Sequence, residues 1–228
     1  MMAYGEILGL LHLQFGPGRD GRAEGLRKSI EDHKQPLAMA VAENIAFSLA
    51  NLKLHETLYM QSSHDSLTGL FNRRHMEETL EREMHRMGRK GRPLGIIMLD
   101  LDHFKQFNDT FGHQAGDTLL RELGSFLQRY IREEDFACRY GGEEFVIILP
   151  ETSPDITMQR AEKLRSDVRH LYVTHKGQEL GPVTLSLGVA GFPLHGLTAE
   201  TVLRAADSAL YRAKAEGRDR VIAAQAIH

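Results

Sequence analysis

Two apolar runs, residues 136–140 and 145–149, are separated only by Gly141-Gly142-Glu143-Glu144. So short a connection cannot carry the crossover that parallel strands need, so the two runs predict an antiparallel hairpin. The glycines supply the positive φ of a tight turn. Glutamate is a poor turn former, so two adjacent glutamates at the tip call for a reason beyond geometry.

Around the hairpin the pattern reads helix 72–87, strand 94–101, helix 116–130, helix 154–171, strand 183–190 and helix 199–216. Interleaved strands and helices with an internal hairpin predict an α/β sandwich, not an all-parallel doubly wound sheet. The first sixty or so residues differ. Residues 7–15 are apolar and of strand length, and 16–25 are polar and glycine-rich, as in a loop. Pro36 suits the first turn of a long helix reaching to about residue 64, with Val41, Ile45, Leu49, Leu52 and Tyr59 at helical spacing. A strand, a loop and a helix are too little for a domain of their own. Residues 1–35 are therefore expected to be the tail of an upstream domain, 36–64 a linker and dimerisation helix, and 65–228 the main domain.

Composition removes several function classes. A formal net charge of -3 without a basic run argues against a general nucleic-acid or membrane-surface binder. The single cysteine, Cys138, has no partner for an intramolecular disulfide. No stretch approaches the ~18 consecutive apolar residues of a membrane span, and the first residues lack the layout of a secretory signal. The segment is expected to be soluble and cytoplasmic, possibly within a longer sensor protein.

Chemistry concentrates in two places. The strand 94–101 is apolar apart from Asp100 near its end and continues Asp102-His103-Phe104-Lys105; the hairpin tip carries Glu143 and Glu144. Asp-x-Asp alone suits a solvated loop, and adjacent glutamates alone suit an exposed turn. An EF-hand is excluded, because Phe104 and Lys105 stand where a ligand and a glycine are needed. If strand and hairpin are neighbours, three carboxylates converge, and hard oxygen donors of this kind suit Mg²⁺ completed by substrate phosphates.

The tip also carries a resemblance. Arg139-Tyr140-Gly141-Gly142-Glu143-Glu144-Phe145 resembles the signature of the GGDEF-domain diguanylate cyclases, in the variant with a second glutamate. Asp65-Ser66-Leu67-Thr68-Gly69-Leu70-Phe71-Asn72-Arg73-Arg74 is similar to the family's opening motif. Asp100 to Lys105 with Asn108, Phe111-Gly112-His113 and Gly116-Asp117 is similar to its metal and guanine segment. Residues 184–190 are similar to its late strand, and 206–214 with Gly217-Arg218 to its closing helix. The motifs occur in the family's order from about residue 65 to 221. The segment 8–13 followed by the long helix is similar to the end of a GAF-type sensor domain.

The resemblance implies a palm-like (ferredoxin-like) α/β sandwich with a mostly antiparallel central sheet flanked by helices, preceded by a long N-terminal helix. It implies condensation of two GTP into cyclic di-GMP by a two-metal mechanism at a homodimer interface, with Mg²⁺, or Mn²⁺ in its place. Asp100, the carbonyl of Leu101, Glu143 and Glu144 would hold metal, and Glu143 is the candidate base. Asn108 and Asp117 would read the guanine edge, an amide and a carboxylate matching its acceptor and donors. Lys214 and Arg218, four apart on one helical face, would hold the β- and γ-phosphates, with His113, Phe104, Lys105 and Gly142 as further nucleotide contacts. Arg132-Glu133-Glu134-Asp135 resembles the Arg-x-x-Asp site of product inhibition, where Arg132 and Asp135 would bind cyclic di-GMP, with Arg86 and Lys163 as added contacts. One departure is visible: Asp219 follows Arg218 where asparagine is common, and its charge is expected to weaken the local positive potential. The alternatives are another palm-type nucleotidyl transferase, or a catalytically silent module that binds GTP or cyclic di-GMP.

Overall fold

The computed structural model describes residues 2–3, 6–7, 39–54, 59 and 62–226. Packing divides the chain into two units, Met1–Ser62 and Ser63–His228. In the first, β1 (Met2–Ala3) pairs antiparallel with β2 (Glu6–Ile7), and α1 spans 39–54. The expected strand over 7–15 is described only at Ile7, and the expected loop over 16–25 lies outside the described residues. On α1, Val41, Ile45, Leu49 and Leu52 are exposed, as is Tyr59 beyond it, whereas Ala46 and Ala50 are buried. No helix among the described residues is long and apolar enough to cross a membrane.

The second unit is built on β3 (Leu94–Leu101), buried along its whole length. A strand buried on both faces must be covered on both, and the alternation of its side chains divides the core in two. Ile97, Leu99 and Leu101 point into one cluster, with α4 (His113–Tyr130) and α5 (Pro154–Val168). Leu94, Ile96 and Met98 point into the other, with α2 (Arg73–Lys90) and α6 (Ala199–Ala215). The sheet order is β4 (Phe136–Gly141), β5 (Glu144–Pro150), β3, β8 (Leu185–Phe192), β9 (Val221–Ala223). All its pairings are antiparallel except β8 with β9. This is the expected sandwich with a mostly antiparallel sheet flanked by helices.

The elements follow local chemistry. Asn72 caps α2 by accepting from the His75 N–H at 3.0 Å, Ser153 with Pro154 opens α5, and Thr198 with Thr201 forms a capping box on α6. On α6, Val202, Ala206 and Leu210 recur every fourth residue and are buried, and Lys214 is the next position of that stripe. The helix lies so close to the sheet that a Cβ at Gly188 would stand 2.1 Å from the Ala206 carbonyl oxygen. The stripe therefore carries Lys214 to the end of β3.

Several elements differ from the sequence reading. A separate helix, α3 (Phe104–Phe111), precedes α4, which starts at His113 and not at Gly116. A small hairpin, β6 (Thr174–His175) and β7 (Gln178–Glu179), and the edge strand β9 complete the unit.

Candidate active site

Asp100 is the penultimate residue of β3, and its even position turns it to the α2/α6 side. Its Cα partners are Glu144 on β5 and Ser186 on β8, so Asp100 and Glu144 are neighbours on one face of the sheet. The Leu101 N–H donates to the Glu143 carbonyl at 3.4 Å, which joins the strand end to the hairpin tip. The Leu101 side chain is in the core, leaving its carbonyl as the group it can offer a ligand. The convergence of strand and hairpin expected from the sequence is therefore present.

Asp100 is only 6 % exposed, and Lys214 Nζ stands 2.7 Å from its Oδ2. Burial pushes the Asp100 carboxyl up to about 6; Lys214 pulls it back, while the charges of Glu143 and Glu144 push it further up. A buried carboxyl raised in part by two neighbouring glutamates is the electrostatic mark of a site that favours a cation. Among the described residues no three His, Cys, Asp or Glu side chains form a ready-made metal cage. The donor chemistry fits Mg²⁺ nonetheless, because that ion takes one or two carboxylates and completes its shell with water and phosphate oxygens. A cleft of about 500 Å³ opens alongside, lined by Glu144, Asp207, Tyr211 and Lys214 among others.

The hairpin tip is held by a residue to which sequence reasoning gave no role. Arg139 donates from Nη1 to both carboxylate oxygens of Asp65 at 3.1 Å, and from Nε and Nη2 to the Gly142 carbonyl at 3.0 and 2.8 Å. Gly142 adopts φ 50°, and the β4–β5 register shifts between Arg139 and Gly141. Asp65 also accepts from the Thr68 N–H and hydroxyl at 2.9 and 2.8 Å. Burial alone would raise the Asp65 carboxyl, but the bonds from Thr68 and Arg139 outweigh it and hold it below the usual range. The opening motif and the glutamate turn are thus one hydrogen-bonded assembly.

Asn108, on α3, packs against α4 where Gly116 leaves room: a Cβ there would lie 1.9 Å from Asn108 Oδ1. That oxygen is buried and has no hydrogen-bond partner among the described residues. Such an acceptor is costly unless something donates to it. Asp117 and His113 are exposed on α4 within the same turns. Phe104 packs its ring toward Gly116, so its backbone is what remains for a ligand, and Lys105 is exposed.

Lys214 and Arg218 do not share a helix face, as their spacing suggested. Helix α6 ends at Ala215; Gly217 turns the chain with φ 115°, and Arg218 follows at φ 61°. The Arg218 guanidinium is exposed, with no hydrogen bond or ion pair to the described residues. Asp102 anchors this turn. Its carboxylate accepts from Thr184 Oγ1 at 2.7 Å, Ser186 Oγ at 2.6 Å and the Asp219 N–H at 3.0 Å.

The segment 132–135 forms a closed turn. The Asp135 carboxylate accepts from the Arg132 N–H at 2.9 Å and from Arg160 Nη2 at 2.6 Å, while the Asp135 N–H donates to the Arg132 carbonyl at 3.1 Å. Asp135 is buried and Arg132 exposed. Arg160 Nη1 is buried without a partner among the described residues. The added contacts expected from the sequence are engaged elsewhere, Arg86 with Glu83 at 2.9 Å and Lys163 with Asp167 at 2.7 Å.

A sheet whose central strand ends in a buried carboxylate beside a glycine-glutamate hairpin defines a palm-like α/β domain with an acidic edge. The sequence profile of the family described as diguanylate cyclase, GGDEF domain, matches residues 62–220, and the chain belongs to that family. It is 38% identical over 216 residues to diguanylate cyclase DgcP of Pseudomonas aeruginosa, covering 89% of this chain and 32% of that protein. It is 42% identical over 159 residues to response regulator PleD of Caulobacter vibrioides, covering 69% of this chain and 35% of that one. The chain thus spans about a third of the length of these curated relatives. Among solved structures, it is similar to the coiled coil and GGDEF domain of DgcB from Caulobacter crescentus in complex with c-di-GMP. The TM-score is 0.76 at 33% identity, covering 82% of this chain and 99% of that one.

Proposed function

We propose that this chain condenses two GTP molecules into cyclic di-GMP with release of pyrophosphate. The observation that carries this reading is the cross-strand pairing of Asp100 with Glu144 at the sheet end reached by Lys214. Relatives named as diguanylate cyclases and a c-di-GMP-bound neighbour support it.

In each half-reaction a ribose 3′-oxygen forms a bond to the α-phosphorus of the other nucleotide, and the bond to pyrophosphate breaks. Glu143 is the group that accepts the hydroxyl proton. Asp100, the Leu101 carbonyl, Glu143 and Glu144 would hold Mg²⁺ or Mn²⁺, which supplies positive charge to the phosphate oxygens and the attacking oxygen. Asn108 and Asp117 select guanine: the orphaned Asn108 Oδ1 accepts from the base, and adenine would leave the Asp117 carboxylate unmatched. Lys214, paired with Asp100 here, would turn to the phosphates of a bound nucleotide, where Arg218 joins it. His113, Phe104, Lys105 and Gly142 complete the nucleotide contacts. Because GTP is an intracellular nucleotide, the domain works in the cytoplasm.

One such site holds one nucleotide, so two copies must face each other, and a symmetric pair makes the two attacks equivalent. The exposed stripe Val41, Ile45, Leu49, Leu52 and Tyr59 supports a helix that pairs with its symmetry mate. The same stripe supports reading 36–64 as a signalling linker below an upstream sensor domain. Arg132 and Asp135 form a product site: the exposed Arg132 and the unpartnered Nη1 of Arg160 are donors suited to phosphate or guanine.

The test is incubation with GTP and Mg²⁺ and chromatographic resolution of products, beside Glu143→Ala and Glu144→Ala. Cyclic di-GMP from the parent and none from the variants supports the reading. Tight nucleotide binding without product, in a protein shown to be dimeric, contradicts it in favour of a silent receptor.

A further inference from the structure

Asp219 looks misplaced in sequence, a negative charge beside the arginine proposed to hold phosphate. In the structure that charge is offset from the other side. Arg165 Nη1, on α5, donates to Asp219 Oδ1 at 2.7 Å and to its carbonyl at 3.3 Å. Arg169, just beyond α5, donates to Asp219 Oδ1 from Nε at 3.3 Å and also pairs with Oδ2 through Nη2.

Arg218 and Asp219 take φ 61° and 45° in succession, a left-handed conformation that a non-glycine residue keeps only when its surroundings hold it. Both sides of the turn are held. Upstream, the Arg218 N–H donates to the Ala213 carbonyl at 2.9 Å, closing the end of α6. Downstream, the Asp219 N–H donates to Asp102, whose carboxylate also binds Ser186, the cross-strand partner of Asp100. The turn is thereby registered to the strand end that carries the Asp100 carboxylate, while no described residue engages the Arg218 guanidinium.

We propose that Asp219, clamped by Arg165 and Arg169 and tethered through its amide to Asp102, is a positioning residue. It holds Arg218 in the turn from which the guanidinium meets the β- and γ-phosphates of the nucleotide. The inference rests on the GTP site described under the proposed function and adds to it Asp219, Asp102 and two arginines, one on α5 and one just beyond its end, on the far face of the sheet. Asparagine at 219 keeps the amide tether, tolerates the left-handed backbone and still accepts a hydrogen bond from arginine, so it substitutes well. Alanine keeps only the amide.

The test is calorimetric titration of the full chain, with Mg²⁺ present, by α,β-methylene GTP and separately by GMP, which lacks the β- and γ-phosphates. Asp219→Ala is expected to weaken the GTP analogue about tenfold, the loss of roughly one charge-assisted phosphate contact, and to leave GMP unchanged. Asp219→Asn is expected to restore affinity to within about threefold of the parent. The paired change Arg165→Gln with Arg169→Gln removes the clamp while leaving the residues of the turn themselves unaltered, and is expected to match Asp219→Ala, which covers the case in which the alanine variant does not fold. Unchanged affinity for the GTP analogue in these variants overturns the inference, as does an equal loss for GMP, which marks a general packing role. A parent that binds neither nucleotide overturns the GTP-site reading itself, and the inference with it.

Discussion

Lys214 Nζ stands 2.7 Å from Asp100 Oδ2, so the lysine expected to hold phosphate is paired with the carboxylate expected to hold metal. The pair compensates for burying Asp100 beside Glu143 and Glu144, and does so incompletely, since the Asp100 carboxyl remains pushed up to about 6. The site is therefore held at a cost to the fold.

That cost has a sign. An aspartate has a pKa of about 3.9 when unfolded. With the folded value raised to about 6, the native state binds more protons between these limits, so stability falls as pH rises from about 4 to 6 and then levels off. Asp100→Asn removes the penalty. Thermal melts are expected to show the variant more stable than the parent at pH 7.5, by on the order of 2 kcal/mol, with the gap closing below about pH 4. The same variant is expected to be inactive. A variant less stable than the parent at pH 7.5 would contradict this electrostatic account.

Arg139 joins Asp65 to the Gly142 carbonyl through four hydrogen bonds, a geometry that needs the planar fork of a guanidinium. Lysine at 139 keeps the charge and loses the fork. Arg139→Lys is expected to lower kcat by about 10²-fold with KM for GTP little changed, because the tip bearing Glu143 shifts while the guanine and phosphate contacts remain. Steady-state kinetics with GTP checks this; a change confined to KM would place the residue's role in binding.

Gly116 is the only size that fits against Asn108, where a Cβ would approach Oδ1 to 1.9 Å. Gly116→Ala is expected to displace the amide, raise KM for GTP about tenfold or more and reduce the preference for GTP over ATP. Competition between the two nucleotides measures the effect. An unaltered preference would remove Asn108 from guanine recognition.

The hairpin and strand that build the site were legible because their runs are mostly apolar, broken only by Arg139 and Asp100, and the short connection within the hairpin permits one pairing. Helix α3 was not read, although Phe104, Phe107 and Phe111 stand at helical spacing, because the run is short and none of its residues is fully buried. The edge strand Val221–Ala223 is too brief to leave a periodic signal. Local spacing placed Lys214 and Arg218 on one face, but Gly217 ends the helix between them. The contacts of Arg139 with Asp65, Asp102 with Asp219 and Asp135 with Arg160 join residues far apart in the chain, and no local pattern encodes them.

Asp135 closes its own turn and pairs with Arg160, so changing it disturbs the fold as well as any ligand site. Arg132 is exposed and gives the cleaner test. Arg132→Ala is expected to leave the initial rate unchanged and to remove inhibition by added cyclic di-GMP, raising the half-inhibitory concentration at least about tenfold. Progress curves with and without added product measure it, and undiminished inhibition would refute the product site.

The most direct measurement is phosphorus NMR of the parent protein turning over GTP with Mg²⁺. Each pair of GTP molecules is expected to yield one symmetric cyclic dinucleotide with a single phosphodiester resonance and two pyrophosphates, with a rate per chain that rises with protein concentration. GTP left intact by a folded, dimeric protein, or converted to GDP and phosphate or to a cyclic mononucleotide, would contradict it.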